Sequence, residues 1–156
     1  NLTFAAPDVG ATNRIREIAN YFNAEMVICD KHRKRANEIA SMVVIGDVTG
    51  KDIVIIDDIC DTGGTLAKSA ALLMEKGARS VRALITHPVL SGKAYENLEN
   101  SVLDEVVVCD TIPIKPGSSK IKVISVAELF AVAIRNAFEN KSITSLFIHS
   151  QRRTSL

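Results

Sequence analysis

The chain has 156 residues, of which 47% are hydrophobic, and its 19 lysines and arginines nearly balance its 18 aspartates and glutamates. This length fits one domain with a single packed core. The balanced charge and the absence of tryptophan oppose a general nucleic-acid or membrane-surface binder, because such proteins carry a basic surplus or stacking aromatic side chains.

The sequence pattern predicts neither a membrane span nor a secretory leader. No apolar run reaches the roughly 18 residues that cross a bilayer, and Asn1 leads into an apolar run without a basic segment before it. The three cysteines, Cys29, Cys60 and Cys109, form neither a Cys-x-x-Cys pair nor a zinc-ligand spacing. We expect buried thiols in a reducing, cytoplasmic setting.

Strand-like and helix-like segments alternate along the chain. The pattern predicts strands over residues 2–6, 25–29, 42–45, 52–59, 81–86, 102–109 and 121–124. It predicts helices over 11–22, 65–76, 91–98 and 125–140, with a capping box of Ser125 and Glu128 at the last one. Residues 31–40 are charged and irregular. This alternation is typical of an α/β domain with a doubly wound, mainly parallel sheet flanked by helices. We assign residues 1–147 to the domain and 148–156 to a tail.

The predicted strand over residues 52–59 contains an unbroken apolar row at 53–56. A continuous row implies burial on both faces, as in a parallel sheet. It leads into the segment Asp57-Asp58-Ile59-Cys60-Asp61-Thr62-Gly63-Gly64-Thr65, which opens a predicted helix. Because ligands of open α/β sheets bind beyond the carboxyl ends of the strands, this segment is the first candidate for a binding site.

Several residue types in this segment suit a phosphate. Gly63 and Gly64 allow the backbone to approach a ligand closely and tolerate positive φ. The free N–H groups at the start of the helix point toward an anion and are helped by the helix dipole. Thr62 and Thr65 add hydroxyl donors. The segment therefore predicts an anion cradle, although it contains neither Gly-Lys-Ser/Thr nor Gly-x-Gly-x-x-Gly.

The two neighbouring acids of this segment suggest that the ligand is a sugar phosphate. Carboxylates beside a phosphate cradle are explained if they accept hydrogen bonds from ribose hydroxyls. Asp57 and Asp58 point to opposite faces if the strand is still extended there, so that one holds the ligand and the other braces the loop. A capped turn without a ligand is the alternative interpretation.

Residues 54–65 resemble the phosphoribosyl-pyrophosphate loop of type I phosphoribosyltransferase folds. Two further segments resemble the ribose-phosphate pyrophosphokinase family: Ala6-Pro7-Asp8-Val9-Gly10 its Ser-Pro-Asp-x-Gly sequence, and Cys29-Asp30-Lys31-His32-Arg33 its Asp-Lys-Arg-Arg catalytic loop. Segments 45–51, 86–92, 110–113, 124–129 and 145–147 are also similar. His32 and Pro88 stand where the family usually has Arg and Gly. The resemblance covers nearly the whole chain, and it is to the second of the family's two similar halves.

The resemblance implies a phosphoribosyltransferase-like fold and transfer of the β,γ-diphosphoryl group of ATP to the C1 hydroxyl of ribose 5-phosphate, giving phosphoribosyl pyrophosphate and AMP. It implies that Lys31 and Arg33 are catalytic and that Asp8 binds Mg²⁺, for which one protein carboxylate is sufficient beside phosphates and water. The residues it implies for ribose 5-phosphate binding are Arg33, Asp57, Asp58, Asp61, Thr62, Gly63, Gly64 and Thr65. It also implies a homo-oligomer, and the N-terminal half of the family's chain is absent here. We expect this half alone to bind the sugar phosphate but to turn over ATP poorly or not at all.

Alternatives to these assignments stay open. From the residues alone, the basic run 31–35 also fits a solvated loop or a weak nucleic-acid patch, and Asp8 also fits a helix cap. The chain could be a non-catalytic regulatory relative, although that would not need Lys31, Arg33 and the intact loop. A phosphoribosyltransferase would share the loop but not the other segments, and an RNA-binding module is opposed by the near-neutral charge.

Overall fold

The computed structural model describes residues 1–32 and 41–147, and within them seven strands form one sheet in the order β3-β2-β1-β4-β5-β6-β7. The strands are β1 (Leu2–Ala6), β2 (Glu25–His32), β3 (Ser41–Ile45), β4 (Asp52–Cys60), β5 (Ser80–Pro88), β6 (Glu105–Cys109) and β7 (Ile121–Ile124). The helices are α1 (Thr12–Tyr21), α2 (Gly64–Glu75), α3 (Ala94–Glu99) and α4 (Ala127–Phe138), followed by a 3₁₀ turn at Thr144–Leu146. The predicted tail, 148–156, lies outside the described residues.

The sheet is doubly wound. From β1 the chain moves through α1 to β2 and then to β3 at one edge, whereas from β4 it moves the other way, through β5 and β6 to β7. Neighbouring strands are parallel except β2 and β3, which are antiparallel. The predicted α/β class with a mainly parallel sheet is confirmed.

The apolar row of β4 is covered on both faces, as predicted. Ile53 and Ile55 are fully buried in the cluster that includes α2. Val54 and Ile56 point to the other face and pack, partly buried, against the cluster that includes Ile15 of α1. Full burial of a side chain of this size contributes about 1.5–3 kcal/mol. α2 packs on the sheet through one stripe of buried residues: Leu66, Ser69, Ala70 and Leu73.

The end of β2 differs from the prediction. The strand continues to His32, because Lys31 and His32 pair with Met42 and Ser41 of β3. Pairing with a strand farther along the chain extends this segment, and no local pattern of residues 31–40 indicates it. The prediction that Lys31 lies in an irregular loop is therefore wrong, and residues 33–40 lie outside the described residues.

Two predicted helix starts also differ. α3 begins at Ala94 rather than at residue 91, and Ser91 instead bonds to the loop after β4. The capping box at Ser125 is wrong: the N-cap of α4 is Val126, without a side-chain cap, and the Ser125 hydroxyl accepts a hydrogen bond from the Ala127 N–H at 3.2 Å. The start of α4 is held instead by Asp110, whose carboxylate accepts from the Val126 N–H.

α4 is apolar but packs little against the described part of the chain. None of its residues is buried, and the side chains of Ile134 and Phe138 are 66% and 88% exposed. Exposed apolar patches of this kind are typical of interaction surfaces. Within the described residues, no helix has both the length and the apolar character that a bilayer span requires.

Candidate functional site

The carboxyl ends of β1 and β4 lie side by side where the winding of the sheet reverses. The register pairs Ala5 of β1 with Ile55 of β4. Asp8, which follows β1, therefore lies at the same sheet edge as Asp57 and Asp58 at the end of β4. Open α/β sheets bind ligands in the crevice at such a reversal, so the sheet itself brings the predicted residues together.

A cavity of about 280 Å³ opens at this edge, which is near the lower bound for small-molecule sites. Six of the predicted residues line it: Asp8, Asp57, Asp61, Thr62, Gly63 and Thr65. Ile59, Cys60, Leu66 and Ile85 complete the lining. Asp58 and Gly64, which were also predicted to bind the ligand, are not among the lining residues. The cavity thus combines acids from two strand ends with the start of α2.

The turn into α2 depends on Gly63. This residue precedes the helix with a φ of 71°, a conformation that residues with a side chain rarely adopt. A Cβ here would lie 3.1 Å from Cγ of Leu98. The first amides of the helix have no helical carbonyl partner, and the 12-residue helix places the positive end of its dipole at the cavity. The geometry is therefore that of an anion-binding helix N-terminus.

The segment after β5 holds this loop in place. The Ser91 N–H donates to the carbonyl of Asp61 at 3.0 Å, and the Ser91 hydroxyl donates to the Asp61 carboxylate. Nδ2 of Asn97, in α3, donates to the carbonyl of Thr62 at 2.8 Å. These bonds fix consecutive peptide groups of the loop, and a loop held in this way loses less entropy when a ligand binds.

Asp57 and Asp58 are adjacent but lie in different environments. Asp58 lies on the α1 face, where Nη1 of Arg14 donates to its Oδ2 at 3.1 Å, whereas Asp57 lines the cavity with its Oδ1 3.8 Å from Nη2 of the same arginine. Burial, the hydrogen bond with Asp58 and the nearby charges of Asp58 and Asp8 raise the pKa of Asp57 to about 6. Burial also opposes ionisation of Asp58, but the hydrogen bond from Arg14 helps to outweigh it, and the pKa of Asp58 lies below its ordinary value.

The two acids should affect stability with opposite signs. A raised pKa stabilises the folded protein below the ordinary pKa of an aspartate, and that stability is lost as the pH rises through about 6. Asp57→Asn avoids this loss and keeps the acceptor for the Asp58 N–H. Because Asp57 is partly solvated, we expect a gain of about 1 kcal/mol at pH 8, or about 2–4 °C in melting temperature, and almost none at pH 4.

Asp58→Asn is the matched variant. The pKa of Asp58 is lowered, so its contribution to stability is present above the ordinary pKa and is lost in acid. This variant should therefore melt below the wild type at pH 8. Thermal unfolding at pH 4 and pH 8 measures both effects, and destabilisation by Asp57→Asn at pH 8 would contradict the assignment.

The three cysteines are free thiols, as predicted; Cys29 and Cys60 are buried, whereas Cys109 is only partly buried, contrary to the expectation. Cys60 lines the cavity, but burial raises its pKa to about 11, and the same cause raises the pKa of Cys29 to about 11. Both are therefore protonated at neutral pH. A thiol rather than a thiolate is a poor nucleophile, so Cys60 contributes packing to the cavity wall rather than covalent chemistry.

Asp8 lines the cavity, and its Oδ1 accepts a hydrogen bond from the Ala11 N–H at 2.9 Å. This bond belongs to the turn before α1, whose N-cap, Ala11, has no side-chain cap. The role of Asp8 as a metal ligand stays a prediction. Among the side chains that the structure describes, no three His, Cys, Asp or Glu residues are grouped to bind a metal ion. Mg²⁺ does not need such a group where phosphates and water complete its shell. The repulsion between Asp8 and Asp57 is what a cation would relieve, so these residues fit Mg²⁺.

The two predicted catalytic residues lie at the end of β2 and beyond it. β2 runs parallel to β1, with Ile28 beside Ala6, and Lys31 is its second-last residue. The backbone of Lys31 therefore lies toward the same edge of the sheet as Asp8. Arg33 lies outside the described residues.

Two residues of the site were not predicted. Arg14 bonds to Asp58, 44 residues away in sequence, and Asn97 bonds to Thr62, 35 residues away. Neither belongs to a motif, and a contact over such a separation depends on the assembled sheet. Ile15 lies on the buried face of α1, which indicates only that its neighbour Arg14 lies at the margin of that face.

The chain is similar to known proteins in sequence and in structure. A family profile described as the phosphoribosyl synthetase-associated domain matches residues 16–148. Proteins named ribose-phosphate pyrophosphokinase are 53% identical to the chain in Wolinella succinogenes, 50% in Campylobacter jejuni and 52% in Helicobacter hepaticus. These matches cover 95%, 95% and 94% of the chain but 48% of each relative. The chain thus spans about half the length of the curated relatives it matches.

The fold is similar to that of a solved structure. The crystal structure of phosphoribosylpyrophosphate synthetase from Mycobacterium smegmatis matches with a TM-score of 0.81 and 35% sequence identity, over 89% of this chain and 45% of that one. The structural comparison and the sequence comparison therefore indicate similar relatives. Because the family profile covers most of the sequence, the chain belongs to the phosphoribosyl synthetase-associated domain family.

Proposed function

We propose that the chain is the C-terminal half of a ribose-phosphate pyrophosphokinase and carries its ribose 5-phosphate site. In the complete protein, the β,γ-diphosphoryl group of ATP passes to the C1 hydroxyl of ribose 5-phosphate, giving phosphoribosyl pyrophosphate and AMP. The observation that supports this most strongly is the occurrence of Asp57 and Asp61 in the same cavity as a helix N-terminus. Amides alone would suit any phosphate, whereas the carboxylates add acceptors for the hydroxyls of a sugar.

Different groups of the loop bind the phosphate and the ribose of the sugar phosphate. The amides at Gly63, Gly64 and Thr65, with the hydroxyls of Thr62 and Thr65, bind the 5-phosphate at the start of α2. The carboxylates of Asp57 and Asp61 accept hydrogen bonds from the ribose hydroxyls. Asp58 does not line the cavity and therefore acts indirectly, through its ion pair with Arg14.

Positive charge at the transferred group completes the site. The transferring diphosphoryl group redistributes its negative charge in the transition state, and fixed cations stabilise that state more than the ground state. We assign this role to Lys31 and Arg33 on the basis of their place in the family's catalytic loop. Mg²⁺, bound to Asp8 and to phosphate oxygens, would neutralise further charge.

The chain is expected to work with further protein. The relatives are about twice as long, and the apolar side chains of α4 are exposed in this half. We propose that the complete protein is a homo-oligomer and that α4 contacts protein outside this chain. The free thiols support a reducing, cytoplasmic setting.

Product analysis of the complete protein tests the function. With ATP, ribose 5-phosphate and Mg²⁺ it should form AMP and phosphoribosyl pyrophosphate in equal amounts, which phosphorus NMR follows directly. The isolated chain, tested in parallel, should form little or none. A folded complete protein without turnover would be the result expected of a regulatory relative. Consumption of phosphoribosyl pyrophosphate with a base would identify a phosphoribosyltransferase instead.

A further inference from the structure

Arg14 connects α1 with the acidic end of β4. Its helix packs on the sheet through the buried Ile15, which places the guanidinium at the carboxyl ends of the strands. Nη1 lies 3.1 Å from Oδ2 of Asp58 and Nη2 lies 3.8 Å from Oδ1 of Asp57. One guanidinium therefore contacts both neighbouring acids, the one that lines the cavity and the one that does not.

Among the described residues, the side chains that line the cavity have an excess of negative charge for a site that binds an anion. Asp8, Asp57 and Asp61 line it, and Asp58 lies beside it. Among the side chains that the structure describes, Arg14 is the only lysine or arginine in an ion pair with any of these acids. A sugar phosphate that approaches this edge meets several carboxylates, and their repulsion acts over distances beyond direct contact in a partly dry site. The charge of Arg14 opposes that repulsion.

We propose that Arg14 is a positioning residue that acts through Asp57 and Asp58 and balances the affinity of the site for its anionic substrate against its affinity for a divalent cation. The inference rests on the proposed function, which supplies the sugar phosphate and the cation. A residue with this role differs from a purely structural one in its effect on the two affinities. Loss of the charge should weaken anion binding and strengthen cation binding, whereas loss of structure should weaken both.

The test compares three variants of the 156-residue chain. Arg14→Gln removes the charge, and Arg14→Lys keeps it without the two-pronged geometry. Arg16→Gln is the matched control, because Arg16 belongs to the same helix but contacts Asn13, at 3.5 Å, rather than the acids. Each variant is titrated calorimetrically with ribose 5-phosphate in the absence of metal, and separately with Mn²⁺ as a probe for the divalent cation. Circular dichroism checks that each variant is folded.

Arg14→Gln should bind ribose 5-phosphate about tenfold more weakly and Mn²⁺ several-fold more tightly, as expected for one charge at short range. Arg14→Lys should fall between the wild type and Arg14→Gln, and Arg16→Gln should match the wild type. If Arg14→Gln weakens the binding of both ribose 5-phosphate and Mn²⁺, or leaves Mn²⁺ binding unchanged, the inference is overturned. If the wild type does not bind ribose 5-phosphate, the proposed function fails at this site, and the Mn²⁺ titrations still decide the role of Arg14.

Discussion

Lys31→Ala in the complete protein is expected to lower turnover about a hundredfold and to leave the fold intact. The substitution removes a cation that we assign to the transferring diphosphoryl group, and the charge on that group matters most in the transition state. The backbone pairing of Lys31 with Met42 does not depend on the side chain, so the strand should persist. Initial rates of AMP formation at saturating substrates measure the effect.

A second lysine variant is the control for the loss of one positive charge from the protein. Lys76→Ala removes one positive charge at the far end of α2, away from the cavity, where Lys76 is exposed. It should leave turnover within about twofold of the wild type, because exposed charges beyond a Debye length, about 10 Å at 0.1 M salt, are largely screened. Near-normal turnover of folded Lys31→Ala would refute the catalytic assignment.

Gly63→Ala should destabilise the chain by about 2–3 kcal/mol and lower its melting temperature by about 5–10 °C. Two costs add. The backbone has a φ of 71°, and the new Cβ would lie 3.1 Å from Cγ and 3.2 Å from Cδ2 of Leu98, which is fully buried. Relaxation would have to move α3 or the loop, so binding of ribose 5-phosphate should also be lost.

Gly92→Ala separates these two costs. Gly92 also has a positive φ, of 55°, but no atom lies within 4 Å of an added Cβ. The variant should lose only the conformational contribution of about 1 kcal/mol. The difference in melting temperature between the two variants therefore measures the cost of the close contact with Leu98. Equal destabilisation of both variants would show that this contact costs nothing.

The sequence predicts the centre of the sheet better than its margins. The apolar row at 53–56 predicts a buried central strand, and the structure confirms this because local composition and tertiary burial favour the same outcome. The extension of β2 to His32 depends on pairing with β3, a strand farther along the chain. α4 is apolar, yet none of its residues is buried. No pattern within either segment indicates these features.

The candidate site follows the same division. The loop 57–65 is predictable because acids, glycines and hydroxyls occur together directly after the central strand. The different environments of Asp57 and Asp58 follow from strand geometry, but the cation that contacts them both does not. Arg14 is one of several basic residues in the chain, and only the packing of α1 on the sheet distinguishes it from Arg16.

A calorimetric titration of the folded chain with ribose 5-phosphate and Mg²⁺ tests the central claim most directly. Asp61→Asn removes a cavity carboxylate but keeps an oxygen that accepts the hydrogen bond from Ser91. Asp104→Asn removes an exposed acid that precedes β6, at the opposite edge of the sheet. We predict saturable binding by the wild type and by Asp104→Asn, and its loss in Asp61→Asn. A folded wild-type chain that does not bind, or equal binding by all three proteins, would contradict the claim that this half carries the sugar-phosphate site.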